Sequence, residues 1–480
     1  KGPRGPRRAW GAGGGLTAWV GRVARPLPGR EREFGVYWIA TFLINAGWGL
    51  TMPLLSVHLF ETGMNLAAVG VIQALAGLAA FLSQGVLGTL SDRRATRRRY
   101  LILATGATVP VFLVLPHLRD GLSLALAVTF NGLLMATYIT MLYTSVSALG
   151  RPGAAGRTFA VYRISGSIGW SITTLLLGWV LPWGGIVGAY RLGAGLFAVV
   201  TLFLVLGLRH RAGGPGIPEG PPGVPLAPGH EEAEDAAARV LETIPDPRRI
   251  LRHRELQLFY LGISLFTFAQ TAGSVYLPIY LREGLQVSDG FFGLLQAVPA
   301  LGEIPCMLLF GRAGDRWGTA RPLLAGYLVG VARWTLLPFL AAPVPLVAVQ
   351  ILQAISYSAG EILGVSHLAE RIGVSARGTA VGILSSFQAL GKVTAPVLTG
   401  FIGDAAGLPA VFLSAGGAML LAAGLMDGSR RLEARAAGAI PEGTAPEGER
   451  PAGEGQRGGD GAGRWRRSLP EGAEGSQERT

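Results

Sequence analysis

The chain carries the stretch Gly88-Thr89-Leu90-Ser91-Asp92-Arg93-Arg94-Ala95-Thr96-Arg97-Arg98-Arg99 between two long apolar runs. A second version, Gly311-Arg312-Ala313-Gly314-Asp315-Arg316-Trp317-Gly318, begins 223 residues later. In both copies a glycine is followed four residues later by Asp-Arg and then by further arginines, which in the second copy means Arg321. Two copies in corresponding places of the two halves indicate an internal repeat.

The composition indicates a membrane protein. Half of the 480 residues are apolar, 15% are charged, and the mean hydropathy is +0.41. A soluble protein usually carries about 25% charged residues. Because a helix needs about 20 mostly apolar residues to cross a hydrocarbon layer, the apolar runs predict an all-α polytopic protein.

Twelve apolar segments are predicted, six on each side of a polar stretch. The first six occupy residues 35–208, and the second six occupy residues 255–426. The remaining parts are a basic arm (1–34), a linker rich in Gly, Pro and Glu (209–254), and a tail (427–480) that we expect to be disordered.

The distribution of basic residues predicts the orientation. The arm, the linker, the tail and the loops that follow the even-numbered segments hold 36 of the 42 Lys and Arg residues, and the opposite loops hold three. We call these two sides the arginine-rich and arginine-poor faces. The asymmetry predicts that the arginine-rich face, with both termini, is cytoplasmic. Although the net charge is +12, its spread along one membrane face predicts contact with lipid and no nucleic-acid partner.

The two Asp-Arg stretches resemble the signature loop of the major facilitator superfamily, Gly-x-Leu-Ala-Asp-Arg-x-Gly-Arg-Arg. The resemblance covers residues 35–426; Ala95 departs from the second glycine of the signature, and Gly318 keeps it in the second copy. It implies twelve transmembrane helices in two six-helix pseudo-repeat bundles that rock about a site at the membrane midplane. It also implies a cytoplasmic gating motif that consists of Gly88, Asp92, Arg93, Gly311, Asp315 and Arg316. In this motif Asp92 would accept hydrogen bonds from the amides of a neighbouring helix N-terminus when the transporter opens outward.

A second resemblance lies in segment five. The run Arg163-Ile164-Ser165-Gly166-Ser167-Ile168-Gly169-Trp170 is similar to the pattern of the lactose-permease-like sugar–proton symporters and of their nucleoside and phenylpropionate relatives. The run Ala300-Leu301-Gly302-Glu303-Ile304-Pro305 resembles another motif of this group, and Arg333 falls near its membrane arginine. The resemblance implies that Arg163 binds the solute and that Trp170 stacks on a sugar ring; packing is the alternative role of Trp170.

The chain also departs from that group. It has Thr144 and Ser145 where the sugar symporters have a carboxylate, and Ile355-Ser356-Tyr357-Ser358 where they have a histidine. Segment five lacks the Gly-Pro signature of drug–proton antiporters. The subfamily and the solute therefore stay open.

Five ionisable side chains are predicted near the middle of the membrane: Arg163, Glu303, Arg333, Glu361 and Lys392. Because each costs about 2.5–3.5 kcal/mol there, we expect them to face a wet cavity and to form pairs. Glu303 is predicted to pair with Arg333, and Glu361 with Lys392, which leaves Arg163 alone for an anionic or hydroxyl-rich ligand. The alternatives are that the pairs only hold helices together and that Arg163 reaches the headgroups. Glu303 is the candidate for proton coupling.

These features predict a secondary transporter that works by alternating access in the cell membrane. We expect proton-coupled transport of a small polar organic solute by a monomer. The alternatives are an exporter or uniporter of the same fold, and a membrane sensor or scaffold that transports nothing. The sequence has no HExxH, GxSxG, paired His/Asp or nucleotide-binding motif, so no catalytic residue, metal site or cofactor is predicted.

Overall fold

The computed structural model describes residues 26–27, 30–94, 97–149, 155–208, 247–372 and 376–438. Within these ranges, side chains are outside the description at 85–94, 155–157, 159–160, 248–249, 377 and 436–438. The described residues are helical apart from short connections. The predicted all-α class is therefore confirmed.

The helices of the first half are long, and short turns join them. They are α1 (Glu31–Glu61), α2 (Leu66–Arg94), α3 (Arg97–Val114), α4 (Gly121–Ser147) and α5 (Ala155–Gly207). A 3-10 turn, Leu115–His117, extends α3.

The second half begins with a single helical turn. Its helices are α6 (Pro247–Ile250), α7 (Arg254–Ile279), α8 (Asp289–Trp317), α9 (Ala320–Leu336), α10 (Pro343–Arg371), α11 (Arg377–Ala406) and α12 (Leu408–Gly438). A π-helical turn, Tyr280–Gly284, extends α7, and a 3-10 turn, Leu337–Phe339, extends α9. Among the described residues, eleven helices are long and apolar enough to cross a membrane.

One of these eleven, α5, contains two crossings. Its 53 residues would extend about 80 Å if they were straight, but the backbone reverses at Gly185, where φ is 55° and ψ is −158°. A Cβ on Gly49 of α1 would lie 2.7 Å from the carbonyl oxygen of Trp170, and one on Gly47 would lie 2.7 Å from the Phe197 ring. Because neighbouring residues of α1 contact both arms, the chain folds back at Gly185. The reversal gives the twelve predicted crossings.

The predicted repeat is visible where the two halves meet. A Cβ on Gly178 of α5 would lie 2.6 Å from Cα of Gly290 at the start of α8. A Cβ on Gly400 of α11 would lie 2.8 Å from Cα of Ala67 at the start of α2. The two contacts are related by a shift of 222 or 223 residues, so α5–α8 and α2–α11 are equivalent pairs. Glycine is needed at both contacts because a side chain would separate the helices.

The predicted arm, linker and tail lie mostly outside the described residues. Where the tail is described, the expectation of disorder from residue 427 is wrong, because α12 continues to Gly438. Asp427 forms ion pairs with Arg430 and Arg431, one turn further along, each at 2.6 Å. Pairs at this spacing stabilise a helix after its apolar part has ended.

Candidate functional site

Two glycines of α5, Gly166 and Gly169, determine where Arg163 lies. A Cβ on Gly166 would be 2.9 Å from Nδ2 of Asn45, and one on Gly169 would be 2.3 Å from the carbonyl oxygen of Phe42. The first arm of α5 therefore packs against α1 through its glycine face. Arg163, one turn before Gly166, is held beside this contact at the boundary between the two halves.

Arg163 is the centre of a polar cluster between the halves. Its Nη1 lies 3.9 Å from Oε2 of Glu361 on α10 and donates a hydrogen bond of 3.2 Å to the hydroxyl of Tyr143 on α4. Glu303 on α8 and Tyr357 on α10 are close enough to interact electrostatically with the same guanidinium. The side chains of Arg163 and Glu361 are 25% and 36% exposed. One cation of the first half thus faces two carboxylates of the second half across an accessible space.

The prediction that Arg163 stands alone is wrong, and so is the Glu361–Lys392 pair. Glu361 instead forms its ion pair with Arg163, while Lys392 is exposed and has no ion pair among the described residues. Both predicted pairs joined charges on consecutive helices of one half. In the fold, α10 presents Glu361 to the opposite half.

The predicted Glu303–Arg333 pair is also wrong. Arg333 is 2% exposed, and its Nη2 donates a hydrogen bond of 3.0 Å to Oε1 of Gln350. Its guanidinium carbon lies 3.6 Å from the centroid of the Trp334 ring. Nε and Nη1 have no hydrogen-bond partner, and within the described residues no carboxylate forms an ion pair with Arg333. It belongs to the packed interior between α9 and α10, apart from the Arg163 cluster.

Trp170 contacts the second half directly. Its Nε1 donates a hydrogen bond of 3.3 Å to the carbonyl oxygen of Gln296 on α8. The next residue, Ser171, has its hydroxyl 3.5 Å from the carbonyl oxygen of Ala297. This geometry corresponds to packing between α5 and α8, the alternative role considered for Trp170.

The first Asp-Arg stretch forms the last turns of α2, so Gly88, Asp92 and Arg93 are helical. Their side chains, and residues 95–96 that follow, lie outside the description. The proposed contacts of Asp92 therefore stay a prediction.

The second Asp-Arg stretch forms the end of α8, which includes Gly311 and ends at Trp317. Asp315 and Arg316 are exposed. Arg316 lies over the Trp317 ring at 5.6 Å, and Asp315 has no hydrogen bond or ion pair within the part of the chain that the structure describes. Gly318 ends the helix with φ of 74°, a conformation that favours glycine. In this state Asp315 caps no described helix.

Sequence reasoning missed the residues that close the arginine-poor face. Oδ1 of Asp404, at the end of α11, accepts a hydrogen bond of 2.8 Å from the Leu66 amide, and Oδ2 accepts one of 3.0 Å from the Ala67 amide. The Tyr276 hydroxyl of α7 donates to the carbonyl oxygen of Pro396 at 2.5 Å and lies 3.0 Å from that of Leu66. The signal was a carboxylate in the last turn of an apolar segment, four residues before another helix begins. We call Asp404, Tyr276 and the start of α2 the arginine-poor gate.

Tyr143 and Tyr357 were also missed. Tyr357 lies four residues before Glu361, so the two side chains share one face of α10. That spacing was readable in the sequence. The contact of Tyr143 with Arg163 joins α4 to α5, and only the fold reveals it.

The family is decided by a match over most of the chain. The model of the MFS_1 like family matches residues 36–414. The chain belongs to this family of the major facilitator superfamily. It is therefore a multi-pass membrane protein of the secondary-transporter class, which carries small-molecule solutes across membranes.

Several individual members of the superfamily are similar to the chain. The maltose permease of Geobacillus stearothermophilus is 27% identical over 295 residues, covering 61% of this chain and 68% of that one. Sugar efflux transporter A of Dickeya chrysanthemi is 23% identical over 401 residues, covering 81% and 93%. Multidrug resistance protein MdtG of Dickeya zeae is 22% identical over 400 residues, covering 80% and 90%.

Solved structures support the fold. The nucleoside transporter NupG superposes with a TM-score of 0.66 at 17% identity, covering 82% of this chain and 98% of that one. A bacterial homologue of the lysosomal transporter Spinster, in an inward-facing and unoccupied conformation, gives a TM-score of 0.65 at 14% identity, covering 85% and 98%. At these identities the likeness shows the fold alone.

Proposed function

We propose that the chain couples the transport of a small, hydroxyl-rich solute to protons, with Arg163, Glu361 and Glu303 as the solute and proton site. The observation that carries the proposal is the ion pair of 3.9 Å between Arg163 and Glu361, which joins the two halves. Glu303 adds a second carboxylate beside the same cation. Names of relatives, which include sugar transporters, agree with such a solute.

The cluster suits a solute with hydroxyl groups. A tight pair between a guanidinium and a carboxylate has a donor–acceptor distance of about 2.7–2.9 Å, so a separation of 3.9 Å leaves hydrogen-bonding capacity unused. A sugar hydroxyl can accept from Arg163 and donate to Glu361. The Tyr143 hydroxyl, which already accepts from Arg163 at 3.2 Å, fixes the guanidinium for this purpose.

The charges suit proton coupling. One guanidinium faces two carboxylates, so the cluster is balanced when either Glu303 or Glu361 holds a proton. A proton on Glu361 weakens its attraction to Arg163 across the halves, whereas its loss strengthens that attraction. Since alternating access requires the halves to separate and rejoin, proton binding at this position changes the cost of that motion.

The structure corresponds, in this proposal, to the inward-facing state of a monomer in the cell membrane. The arginine-poor gate joins α11 to the start of α2, while Ser385 and Ser386 near the arginine-rich start of α11 are exposed. With the arginine-rich face in the cytoplasm, the cavity opens inward. Both termini are then cytoplasmic.

Proton-coupled export is the second candidate. The chain covers 93% of the length of sugar efflux transporter A and 68% of the length of the maltose permease. In an exporter the same cluster exchanges a proton for the solute instead of carrying both together.

Solute flux in proteoliposomes tests the proposal. Sugars and nucleosides are supplied with an inward, an outward or no proton gradient. We expect uphill accumulation with one gradient direction, its loss in Glu303→Gln or Glu361→Gln, and loss of all flux in Arg163→Gln. Glu283→Gln, which changes an exposed carboxylate outside the cluster, is the matched control. Uphill flux that survives in both carboxylate variants would exclude the cluster from coupling, and flux that no gradient changes would indicate a uniporter.

A further inference from the structure

A lateral groove lies between α2 and α3 in the first half. Both helices pack on α4 but hardly touch each other, which leaves a cavity of about 590 Å³ with α4 as its floor. Ala79 and Leu82 form one wall, Tyr100 and Leu103 the other, and Leu134 part of the floor. The volume lies in the range of about 300–1,000 Å³ that is common for small-molecule sites.

The groove opens toward the hydrocarbon of the bilayer. Leu82 and Leu103, on opposite walls, are 60% and 66% exposed. Among the groove residues whose side chains the structure describes, the polar ones are Ser83, Thr137 and Tyr100. The Ser83 hydroxyl already donates to the carbonyl oxygen of Ala80. A polar solute would find few partners there. The lining instead fits an alkyl chain, which gains close packing when it lies in the groove.

Three arginines stand at the end of the groove that lies on the arginine-rich face. They are Arg97, Arg98 and Arg99, the first residues of α3. Arg99 lies four residues before Leu103, so both side chains follow the same face of the helix. Arg98 donates a hydrogen bond of 3.3 Å to the carbonyl oxygen of Val205 on α5, so its guanidinium is turned toward α5. Arg99 is exposed, and among the described residues no carboxylate forms an ion pair with it.

We propose that the groove binds an anionic phospholipid, with one acyl chain between α2 and α3 and the headgroup phosphate at Arg99. The depths of the arginine and of the groove fit such a lipid. Helix α3 begins at the membrane surface, where the headgroup lies, and Leu103 lies about one turn further in, where the acyl chain begins. A guanidinium offers a fork of donors that matches phosphate oxygens, and basic residues at this level attract anionic lipids. The charge favours an anionic lipid over a zwitterionic one, while the groove excludes the polar solute of the transport site.

Lipid titration of the delipidated, detergent-purified full chain tests the proposal. Native mass spectrometry compares phosphatidylglycerol with phosphatidylcholine of the same acyl chains. We expect phosphatidylglycerol to bind at least fivefold more tightly, the factor that corresponds to one arginine near the surface. Arg99→Gln should remove about this fivefold preference and leave phosphatidylcholine unchanged.

Two further variants separate the headgroup from the acyl chain. Arg321→Gln removes an exposed arginine at the start of α9, 222 residues after Arg99 on the same face, and should change neither affinity. Ala107→Phe fills the groove, whose lining includes Ala107, and should weaken both lipids; its unfolding temperature confirms that it folds. Equal affinity for the two lipids in the unaltered protein, or equal loss in Arg99→Gln and Arg321→Gln, would overturn the headgroup site. Unchanged binding in folded Ala107→Phe would overturn the groove.

Discussion

Replacing Asp404 with alanine should open the arginine-poor face. In the structure both carboxylate oxygens of Asp404 accept from the first amides of α2, at 2.8 and 3.0 Å. These amides belong to the first half and Asp404 to the second, so the hydrogen bonds exist only while α2 and α11 are close at this face. Their loss destabilises the closed gate and leaves the open state, in which water solvates the amides, unchanged.

The expected magnitude follows from helix capping. Removing a side-chain cap from a helix N-terminus costs about 0.5–2 kcal/mol. Two hydrogen bonds and a full charge place Asp404→Ala in the upper part of this range, at about 1–2 kcal/mol, which is a factor of about 5–30 in the population of the open gate. Asp404→Asn keeps an acceptor and loses the charge. Its effect should be about 0.3–1 kcal/mol, the usual worth of a charge at a helix end.

Cysteine labelling measures the gate directly. The single cysteine of the chain, Cys306, is replaced by serine, and Thr174→Cys supplies a reporter. Thr174 is fully buried, and its carbonyl oxygen lies 2.2 Å from a Cβ built on Gly293 of α8. An impermeant maleimide applied to the arginine-poor face should therefore react 5–30 times faster in Asp404→Ala.

Asp120→Ala is the matched control. Asp120 caps α4 on the same face, with Oδ1 accepting from the Ser123 amide at 2.8 Å, but both groups belong to the first half. Its removal should leave the labelling rate unchanged. If Asp404→Ala labels no faster than the parent, or if Asp120→Ala labels as fast as Asp404→Ala, the cap does not hold the gate closed.

Three further predictions concern packing and charge. Gly273→Ala should lower the unfolding temperature, because its Cβ would lie 1.6 Å from the buried ring of Trp334 and overpacking costs about 1–3 kcal/mol. Gly417→Ala is the control, because a Cβ there would have nothing within 4 Å. Equal unfolding temperatures of the two variants would contradict the prediction. Arg333→Met should unfold at the same temperature as the unaltered protein or at a higher one, because a buried guanidinium with two unpartnered nitrogens is costly. A large decrease in the unfolding temperature would show that the guanidinium has a stabilising partner. Asp92→Asn should favour the inward-facing state in the labelling assay, and unchanged accessibility of the arginine-rich face would contradict its gating role.

The sequence predicted the fold because its signals are local. Apolar length predicts a membrane helix, and the matched glycines Gly178 and Gly400 occupy equivalent contacts at the starts of α8 and α2. Arg163 and the arginines of the Asp-Arg stretches could be placed at the middle or the end of a helix from their positions along the apolar runs. The sequence also predicted a boundary between segments five and six, but not that the helix continues to a break at Gly185, because a glycine between two apolar runs is compatible with a loop or with a break inside one helix.

The pairing of charges could not be predicted in the same way. Each of Arg163, Glu303 and Glu361 was assigned to a depth in the membrane, but a helix has several faces at each depth. The faces that meet depend on how each helix is rotated about its own axis. The packing between α1, α5 and α8 determines these rotations. Arg333 shows the consequence, because its helix turns it toward Gln350 at 3.0 Å and over Trp334 instead of toward a carboxylate.

The gate gives the Asp-Arg stretch a counterpart at the opposite face. Helix α2 begins at the arginine-poor face and ends near Asp92, whereas α11 begins at the arginine-rich face and ends near Asp404. In this state Asp404 caps the start of α2, and among the described residues Ala376, the N-cap residue of α11, forms no side-chain cap. Two helices that rock against each other cannot be close at both ends together. If Asp92 caps α11 in the other state, each state has one capped helix start and one hydrated helix start. The free energy of losing one cap is then offset by the free energy of forming the other. The difference that remains is then small enough for a solute or a proton at the proposed Arg163–Glu361 site to reverse it.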